Sequence, residues 1–136
     1  MPQQRTGEQT RARAALIDLA ERYFAAVDSM SVERVLEFFH ADAVFLVPTF
    51  EARHSGRDGA IRTMFERLYS RYARVWHGGF RHVVDAESGL IASRFRVENT
   101  AHDGRLTSKS NSNFFIVREG RFDEVAVYMS GDNSLD

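Results

Sequence analysis

The hydrophobic residues of this chain change their spacing after Gly78 and Gly79. Before these glycines, apolar residues recur every three or four positions, which is the period of amphipathic helices. After them, apolar and polar residues alternate, which is the period of half-buried strands. Because helices come first and hairpin-linked strands follow, the sheet must bury one face on the helices. The spacing therefore predicts an α+β fold in which a curved antiparallel sheet wraps around N-terminal helices and leaves an internal pocket.

Helices and one short strand are predicted before the glycine pair, and four strands around or after it. Pro48 should end the short strand because it cannot donate to a ladder, and a loop carrying Glu51 and His54 should follow. The length of 136 residues suits one domain. We expect a disordered lead-in over residues 1–12 and a single domain over residues 13–136. The predicted helices cover residues 13–28, 31–40 and 58–72, and the predicted strands cover residues 43–47, 80–85, 91–99, 107–118 and 121–130.

Charge and residue usage argue against several classes of partner. The 18 basic and 19 acidic residues nearly cancel and form no block of like charge, which gives nucleic acid or an anionic membrane no support. The chain has no cysteine, which excludes thiolate catalysis and sulfur ligands. Its 5 histidines show no metal-ligand spacing. We therefore expect a cytoplasmic protein that binds a small molecule and uses no cofactor and no metal.

Four segments of the chain carry a resemblance to a known family, and they are ERYFAAVD (21–28), FFHADAVF (38–45), GRDGAIR (56–62) and FFIVREGR (114–121). They resemble segments of the nuclear-transport-factor-2-like superfamily, which includes ketosteroid isomerases and SnoaL-like polyketide cyclases. The resemblance implies a SnoaL-like domain, a cone-shaped half-barrel with an internal pocket. It leaves the reaction open, because members include isomerases, cyclases, dehydratases, epoxide hydrolases and proteins that only bind.

Three positions compare this chain with the ketosteroid isomerases. Tyr23 matches the tyrosine of the first helix that donates a hydrogen bond to a developing oxyanion. Asn113 falls where those enzymes keep a protonated aspartic acid, and its amide can donate the same hydrogen bond. Val47 falls at the position of the carboxylate that abstracts the substrate proton. Because valine cannot take a proton, steroid isomerisation by that mechanism is not expected.

A second comparison is with scytalone dehydratase and hexachlorocyclohexane dehydrochlorinase, in which an aspartate after the first helix orients a histidine base. Asp28 occupies the matching place. A carboxylate that accepts the proton of one imidazole nitrogen fixes the tautomer and stabilises the imidazolium. His77 fits the spacing of the dehydratase, whereas His82 fits the inward alternation of the strand. The two histidines lie five residues apart and should face opposite sides of one strand, and we favour His82 as the base. The alternative for Asp28 is a helix-ending residue that bonds local backbone.

A pocket on the inner face of the sheet should combine many apolar side chains with a few polar ones. Lys109 shares the inward phase and could anchor an anion or form a Schiff base, although a lysine near a strand end is more often solvated. The predicted lining consists of Trp76, Phe95, Val97, Asn99, Asn111, Phe115, Val127 and Met129.

The leading hypothesis is a cofactor-independent lyase or isomerase that acts on a small, largely apolar oxygenated compound. One rival is a non-catalytic module for ligand binding or dimerisation. A third option is a polyketide cyclase or epoxide hydrolase with a different acid-base pair that uses Glu51 or His54. Phe114 and Ile116 point to the outer face of the sheet, where a partner subunit explains them better than solvent does. We therefore predict a homodimer.

Overall fold

Helix α1 (Gly7–Asp28) packs on the inner face of a six-stranded sheet in the structure, a computed structural model that describes residues 6–136. The helices precede the long strands, so the predicted α+β fold is confirmed. A 3₁₀ turn (Pro48–Phe50) and a π-helical turn (Gly56–Ile61) connect the early elements. The remaining elements are α2 (Val32–Leu36), β1 (Phe39–Val47), β2 (Ala52–Ser55), α3 (Arg62–Arg71), β3 (Tyr72–Asp85), β4 (Leu90–Ala101), β5 (Leu106–Arg118) and β6 (Arg121–Met129).

The strands lie in the order β2-β1-β6-β5-β4-β3, and the sheet is open at β2 and β3. All neighbouring strands are antiparallel except β1 and β6, which run parallel. The sheet curves around the helices in the cone-shaped half-barrel that the resemblance implies. Its inner face and the helices enclose the hydrophobic core.

Helix α1 begins at Gly7, six residues before the predicted start. Thr6 caps it, since the Thr6 hydroxyl accepts from the backbone of Gln9 and the Gln9 side chain accepts from the Thr6 backbone. This capping box satisfies two of the orphan N–H groups at a helix start. The predicted disordered lead-in therefore differs from the structure over residues 7–12, and its first five residues lie outside the described part of the chain.

Boundaries also differ between Leu36 and Arg71. Helix α2 ends at Leu36, so the predicted helix over residues 31–40 is too long, and β1 already begins at Phe39. The segment predicted as a loop forms the edge strand β2, whose His54 lies opposite Phe45 of β1. A strand of four residues is too short for its alternation to stand out in the sequence.

A β-bulge at the glycine pair is the irregularity that matters most for the site. Strand β3 runs through both glycines instead of beginning after them, and its register against β4 shifts between Gly78 and Arg81. Gly79 has a φ of 69°, which favours glycine. One extra residue reverses the faces of a strand. His77 and His82 consequently both point inward, opposite Val97 and Ser93, and the prediction that they face opposite sides is wrong.

The core is rich in aromatic rings that surround Tyr23. Ring centroids lie 5.1–5.9 Å from the Tyr23 centroid, mostly in edge-on or tilted geometry. Such arrangements add to the gain from burial. These contacts fix the middle of α1 against the sheet and hold the inward end of the Tyr23 side chain in place. The neighbouring rings are Phe24, Phe38, Phe39, Phe115 and Phe122.

Candidate active site

A histidine and an aspartate meet where β3 passes the C-terminal end of α1. The Nδ1 atom of His77 lies 2.6 Å from the Oδ1 atom of Asp28, and the backbone N–H of His77 donates to Asp28 Oδ2 at 3.1 Å. Because an ionised carboxylate only accepts, Nδ1 carries the hydrogen and Nε2 keeps its lone pair. The rings of Phe24 and Phe95 flank the imidazole at centroid distances of 5.3 and 5.6 Å. His77 therefore has a fixed tautomer and one basic nitrogen free.

The predicted pairing of Asp28 with His82 is wrong, and the alternative partner, His77, takes that place. His82 Nε2 lies 2.9 Å from Glu21 Oε2, and His82 Nδ1 lies 2.7 Å from the hydroxyl oxygen of Ser93. Both ring nitrogens of His82 are thus engaged. The error came from counting alternation through the glycine pair without the extra residue of the bulge. His82 cannot serve as the base without breaking one of these hydrogen bonds.

A small cavity lies between the helices and the inner face of the sheet. Its free volume is about 40 Å³, which holds one or two water molecules. Helices α1 and α3 supply an apolar side, and strands β4 and β5 supply asparagines on the other. The lining residues are Tyr23, Phe24, Val27, Phe45, Phe65, Leu68, His77, Phe95, Val97, Asn99, Asn111, Asn113, Val127, Ser134 and Leu135.

Tyr23 and Asn113, the two predicted oxyanion-binding residues, both lie in this lining. Burial, and to a lesser extent the nearby Tyr69, raise the pKa of Tyr23 well above its ordinary value. Its hydroxyl therefore stays protonated and able to donate. Asn113 and Asn111 are buried, and the side-chain oxygens of both have no hydrogen-bond partner among the described residues.

Tyr69 supports the acidic member of the pair from the helix side. Its hydroxyl donates to the carbonyl oxygen of Val27 at 2.8 Å. Burial, followed by the negative charge of Asp28, raises the pKa of Tyr69 far above its ordinary value. A tyrosine that keeps its proton holds the last turn of α1, and with it Asp28, against α3.

Other predicted lining residues divide into three groups. Phe95, Val97, Asn99, Asn111 and Val127 line the cavity. Phe115 and Met129 are buried in the neighbouring core and do not appear in its lining. The third group is Trp76 alone, which lies on the other face of the sheet.

The prediction that Trp76 lines the pocket is wrong. Trp76 lies opposite Glu98 of β4, one residue before the inward His77, so its side chain is on the outer face of the sheet. There the indole covers Gly78 so closely that a Cβ on Gly78 would overlap the ring. The glycine thus provides the space in which Trp76 lies.

The alternative acid-base residues lie away from the cavity. Neither Glu51 nor His54 appears in its lining. Glu51 is exposed in the turn after the 3₁₀ segment. Burial, followed by the charge of Arg67, lowers the pKa of His54, and its Nε2 atom has no partner among residues 6–136. Val47, at the position of the isomerase base, is fully buried in the core.

Residues 130–136, here called the closing segment, cover one end of the cavity. Lys109 is 5% exposed, and its ammonium donates to the carbonyl oxygen of Ser130 at 2.7 Å and to that of Asp132. Arg71 donates to the carbonyl oxygens of Ser134 and Asp136 at 3.1 and 3.2 Å. The expected solvation of Lys109 is therefore wrong, because this amine is buried and bound to backbone.

Several lining residues were not predicted. Phe65 and Leu68 belong to the helical stripe of α3, so their inward direction was visible in the sequence while their contact with a ligand pocket was not. Ser134 and Leu135 follow the last strand without any periodic pattern, and only the fold places them over the cavity.

Within residues 6–136, no helix is both long and apolar enough to cross a membrane. In the same part of the chain, no three histidine, aspartate or glutamate side chains are grouped so that they could hold a metal ion.

The family model of the SnoaL-like domain matches residues 8–132. No curated protein sequence matches the chain.

Solved structures share the fold at low sequence identity. A proposed polyketide cyclase from Xanthomonas campestris pv. campestris is 20% identical with a TM-score of 0.78, covering 86% of this chain and 91% of that one. A proposed isomerase from Bacillus subtilis is 15% identical with a TM-score of 0.77, covering 88% of each chain. The pinacolase BvnE from Penicillium brevicompactum is 16% identical with a TM-score of 0.77, covering 88% and 85%. At such identities the likeness concerns the fold.

Proposed function

Because the chain belongs to the SnoaL-like domain family, we propose that it is a cofactor-independent lyase or isomerase with His77 as its base. The observation that carries the proposal is the hydrogen-bonded His77–Asp28 pair, whose imidazole lines the internal cavity. The substrate class is a small, largely apolar compound with a carbonyl group. The proposed polyketide cyclase and the pinacolase among the structural neighbours are compatible with such chemistry. The proposal rests on the site of this chain and not on these two neighbours.

In the proposed reaction, His77 Nε2 removes a proton from the carbon next to the carbonyl group. The electron pair moves toward the carbonyl oxygen, where the Tyr23 hydroxyl and the Asn113 amide donate hydrogen bonds to the developing charge. Asp28 stabilises the imidazolium. In a ketone with a carbon–carbon double bond next to the reacting carbon, His77 then returns the proton to the far end of that double bond, which moves into conjugation with the carbonyl group in an isomerisation. In a ketone with a β-hydroxyl group, His77 passes the proton to the departing hydroxyl, which leaves as water in an elimination.

The test is turnover of a panel of small cyclic and aryl ketones that carry either a β,γ carbon–carbon double bond or a β-hydroxyl group, with ketones that lack both as blanks. His77→Gln should lower the rate by at least about a hundredfold, as expected for loss of a general base. Asp28→Asn should also lower the rate, because an asparagine cannot hold a charged imidazolium as well. His82→Gln is the comparison, since it changes another inward histidine of β3 and leaves the His77–Asp28 pair intact, so it should lower the rate far less than His77→Gln does.

The outcomes separate the proposal from its rivals. If His82→Gln loses turnover and His77→Gln keeps it, the assignment of the base is wrong. If members of the panel bind but none is converted, the chain is the non-catalytic binding module of the alternative hypothesis. A cyclase or epoxide hydrolase that uses Glu51 or His54 has no geometric support, since neither residue lines the cavity.

We also propose that the chain forms a homodimer through the outer face of the sheet. Val83 and Phe114 are 74% and 51% exposed there, and Ile116 and Tyr128 are more than a third exposed. The rings of Phe114 and Tyr128 meet edge-on at 5.8 Å. Exposed apolar groups collected on one sheet face favour a self-complementary partner.

Sedimentation velocity over a range of protein concentrations tests the dimer. Phe114→Glu should give a monomer, because it buries a charge in the proposed interface. Phe50→Glu is the control, since Phe50 is also exposed, at 40%, but lies in the 3₁₀ turn. A wild-type protein that stays monomeric at every concentration contradicts the proposal. The cytoplasm stays the predicted compartment, and fractionation of cells that express the chain would check it.

A further inference from the structure

Two buried carboxamides on the sheet side of the cavity have oxygens that no neighbour satisfies. The Oδ1 atoms of Asn111 and Asn113 have no hydrogen-bond partner among residues 6–136, and the two residues are 7% and 3% exposed. Buried polar groups in native proteins are nearly always paired, and an unpaired one is costly. Both side chains line the cavity. The cavity is therefore the place from which partners can reach these amides.

The cross-strand neighbours explain why the protein itself leaves the amides unpaired. Asn111 lies opposite Phe95 on one side and Met129 on the other, and neither side chain can donate a hydrogen bond. Asn113 lies opposite Val127 and Ser93. Among the four residues opposite Asn111 and Asn113, only Ser93 thus carries a side-chain hydroxyl.

The hydroxyl of Ser93 is engaged elsewhere. When the His82 ring is neutral, its hydrogen resides on Nε2, because the Glu21 carboxylate can only accept a hydrogen bond from that nitrogen. His82 Nδ1 then has only a lone pair, and the Ser93 hydroxyl donates to it at 2.7 Å. This chain of hydrogen bonds withholds the Ser93 hydrogen from Asn113. The Glu21–His82–Ser93 arrangement thereby keeps the amide of Asn113 available for a ligand.

We propose that Asn111 and Asn113 together select ligands in which a small ring carries two oxygen substituents on non-adjacent carbons. The proposal rests on the proposed function, because it names the substrate class of the same cavity. The two asparagines project from one face of β5 two residues apart, roughly 6.7 Å along the strand. Oxygens on adjacent ring carbons are too close together to reach both amides well. The ring contacts the apolar side of the cavity, with Phe24, Phe65 and Leu68, and because it is larger than the free volume of about 40 Å³ it displaces the closing segment when it binds.

The selected oxygen groups include both hydroxyls and carbonyls. A carboxamide offers an acceptor at one end and two donors at the other. Since the oxygens of these two amides have no partner to lose, rotation of either amide sacrifices no hydrogen bond at its oxygen. Each asparagine can consequently meet a hydroxyl with its oxygen or a carbonyl with its N–H groups.

The experiment compares the affinities of resorcinol, catechol and phenol for the full chain by calorimetric or NMR titration. Resorcinol should bind at least about fivefold more tightly than phenol, the yield of one net hydrogen bond. Catechol should gain less over phenol than resorcinol does. A preference for catechol, equal affinity for resorcinol and phenol, or no binding by any of the three up to their solubility limits would overturn the proposal.

Variants assign the preference to the two amides. Asn111→Leu and Asn113→Leu keep the shape of the side chain and remove its polar atoms, so each should bind phenol as the wild type does and lose the preference for resorcinol. Ser112→Ala is the matched control, because Ser112 lies between them on the opposite face of β5 and pairs with outer-face residues. A preference that survives in both leucine variants contradicts the proposal.

Binding and turnover fail separately in this design. His77→Gln should keep the preference for resorcinol, because the base is not part of the selecting pair. If the ketone panel shows no turnover but the preference holds, the proposed reaction fails and the ligand class stands. If turnover depends on His77 and the preference is absent, the ligand class fails alone.

Discussion

Replacing Lys109 by methionine should loosen the closing segment without unfolding the domain. The ammonium makes two charged hydrogen bonds to backbone carbonyls, each worth about 1.5–3 kcal/mol. The opposing contribution is burial of the amine, which lowers the pKa of Lys109. Because methionine removes both contributions, the free energy of global unfolding should change by less than about 2 kcal/mol.

The same net loss should appear locally in the closing segment. If about 1.4 kcal/mol of net anchoring is lost there, the open form of the segment becomes about tenfold more populated. Arg71 continues to hold the carbonyls of Ser134 and Asp136, so the segment should open mainly around Gly131. A ligand larger than the cavity should then bind to the variant at a higher association rate, since it must displace this wall.

Residue-resolved amide exchange and stopped-flow binding of resorcinol measure these effects. The amide of Ser130, which donates to Ser110 at 3.2 Å, should exchange faster in the variant, whereas amides in the ladder between β4 and β5 should not. Arg105→Met removes an exposed cation near the start of β5 and serves as the control. Equal exchange at Ser130 and equal association rates in wild type and Lys109→Met would refute the reasoning.

Three further changes have defined outcomes. Gly78→Ala should destabilise the protein by about 1–3 kcal/mol in urea unfolding, because its Cβ overlaps the Trp76 ring, and Trp76→Ala should remove most of that penalty in the double variant. Gly131→Ala should destabilise the protein by about 1–2 kcal/mol in urea unfolding, because Gly131 has a φ of 71° and the added Cβ would lie 3.2 Å from Lys109 Nζ. An unchanged free energy of unfolding would mean that this turn readily changes its backbone conformation. Burial lowers the pKa of His54 from its ordinary value of 6.5, so the unfolded chain binds the proton more readily than the folded protein does. The stability should therefore fall as the pH drops below about 6.5. His54→Gln should weaken that pH dependence in thermal melts at pH 5 and 7.

The fold and part of the site follow from features that a sequence displays directly. Alternation assigns Asn111 and Asn113 to the inward phase of β5. The helical period places Tyr23 within α1 and Asp28 at its C-terminal end. These assignments depend on regular geometry within one element. They hold wherever the strand or helix continues without interruption.

The inward direction of His77, the proposed base, could not be derived from alternation, because it depends on an interruption of the strand. A period of two assigns His77 and His82 to opposite faces, and only the extra residue at Gly79 brings both inward. The role of Lys109 escaped for a different reason. Its partners are backbone carbonyls of the closing segment, and carbonyls are identical at every residue, so no sequence pattern marks them.

The hydrogen bonds that hold the closing segment do not depend on its side chains, and this affects how the pocket can change in evolution. The ammonium of Lys109 and the guanidinium of Arg71 donate hydrogen bonds to backbone carbonyls of the closing segment. The side chains of Ser134 and Leu135 can therefore be substituted without loss of these hydrogen bonds. These two side chains face the cavity. A descendant of this chain can thus remodel the contour of its ligand site at Ser134 and Leu135 while the closure itself is inherited unchanged.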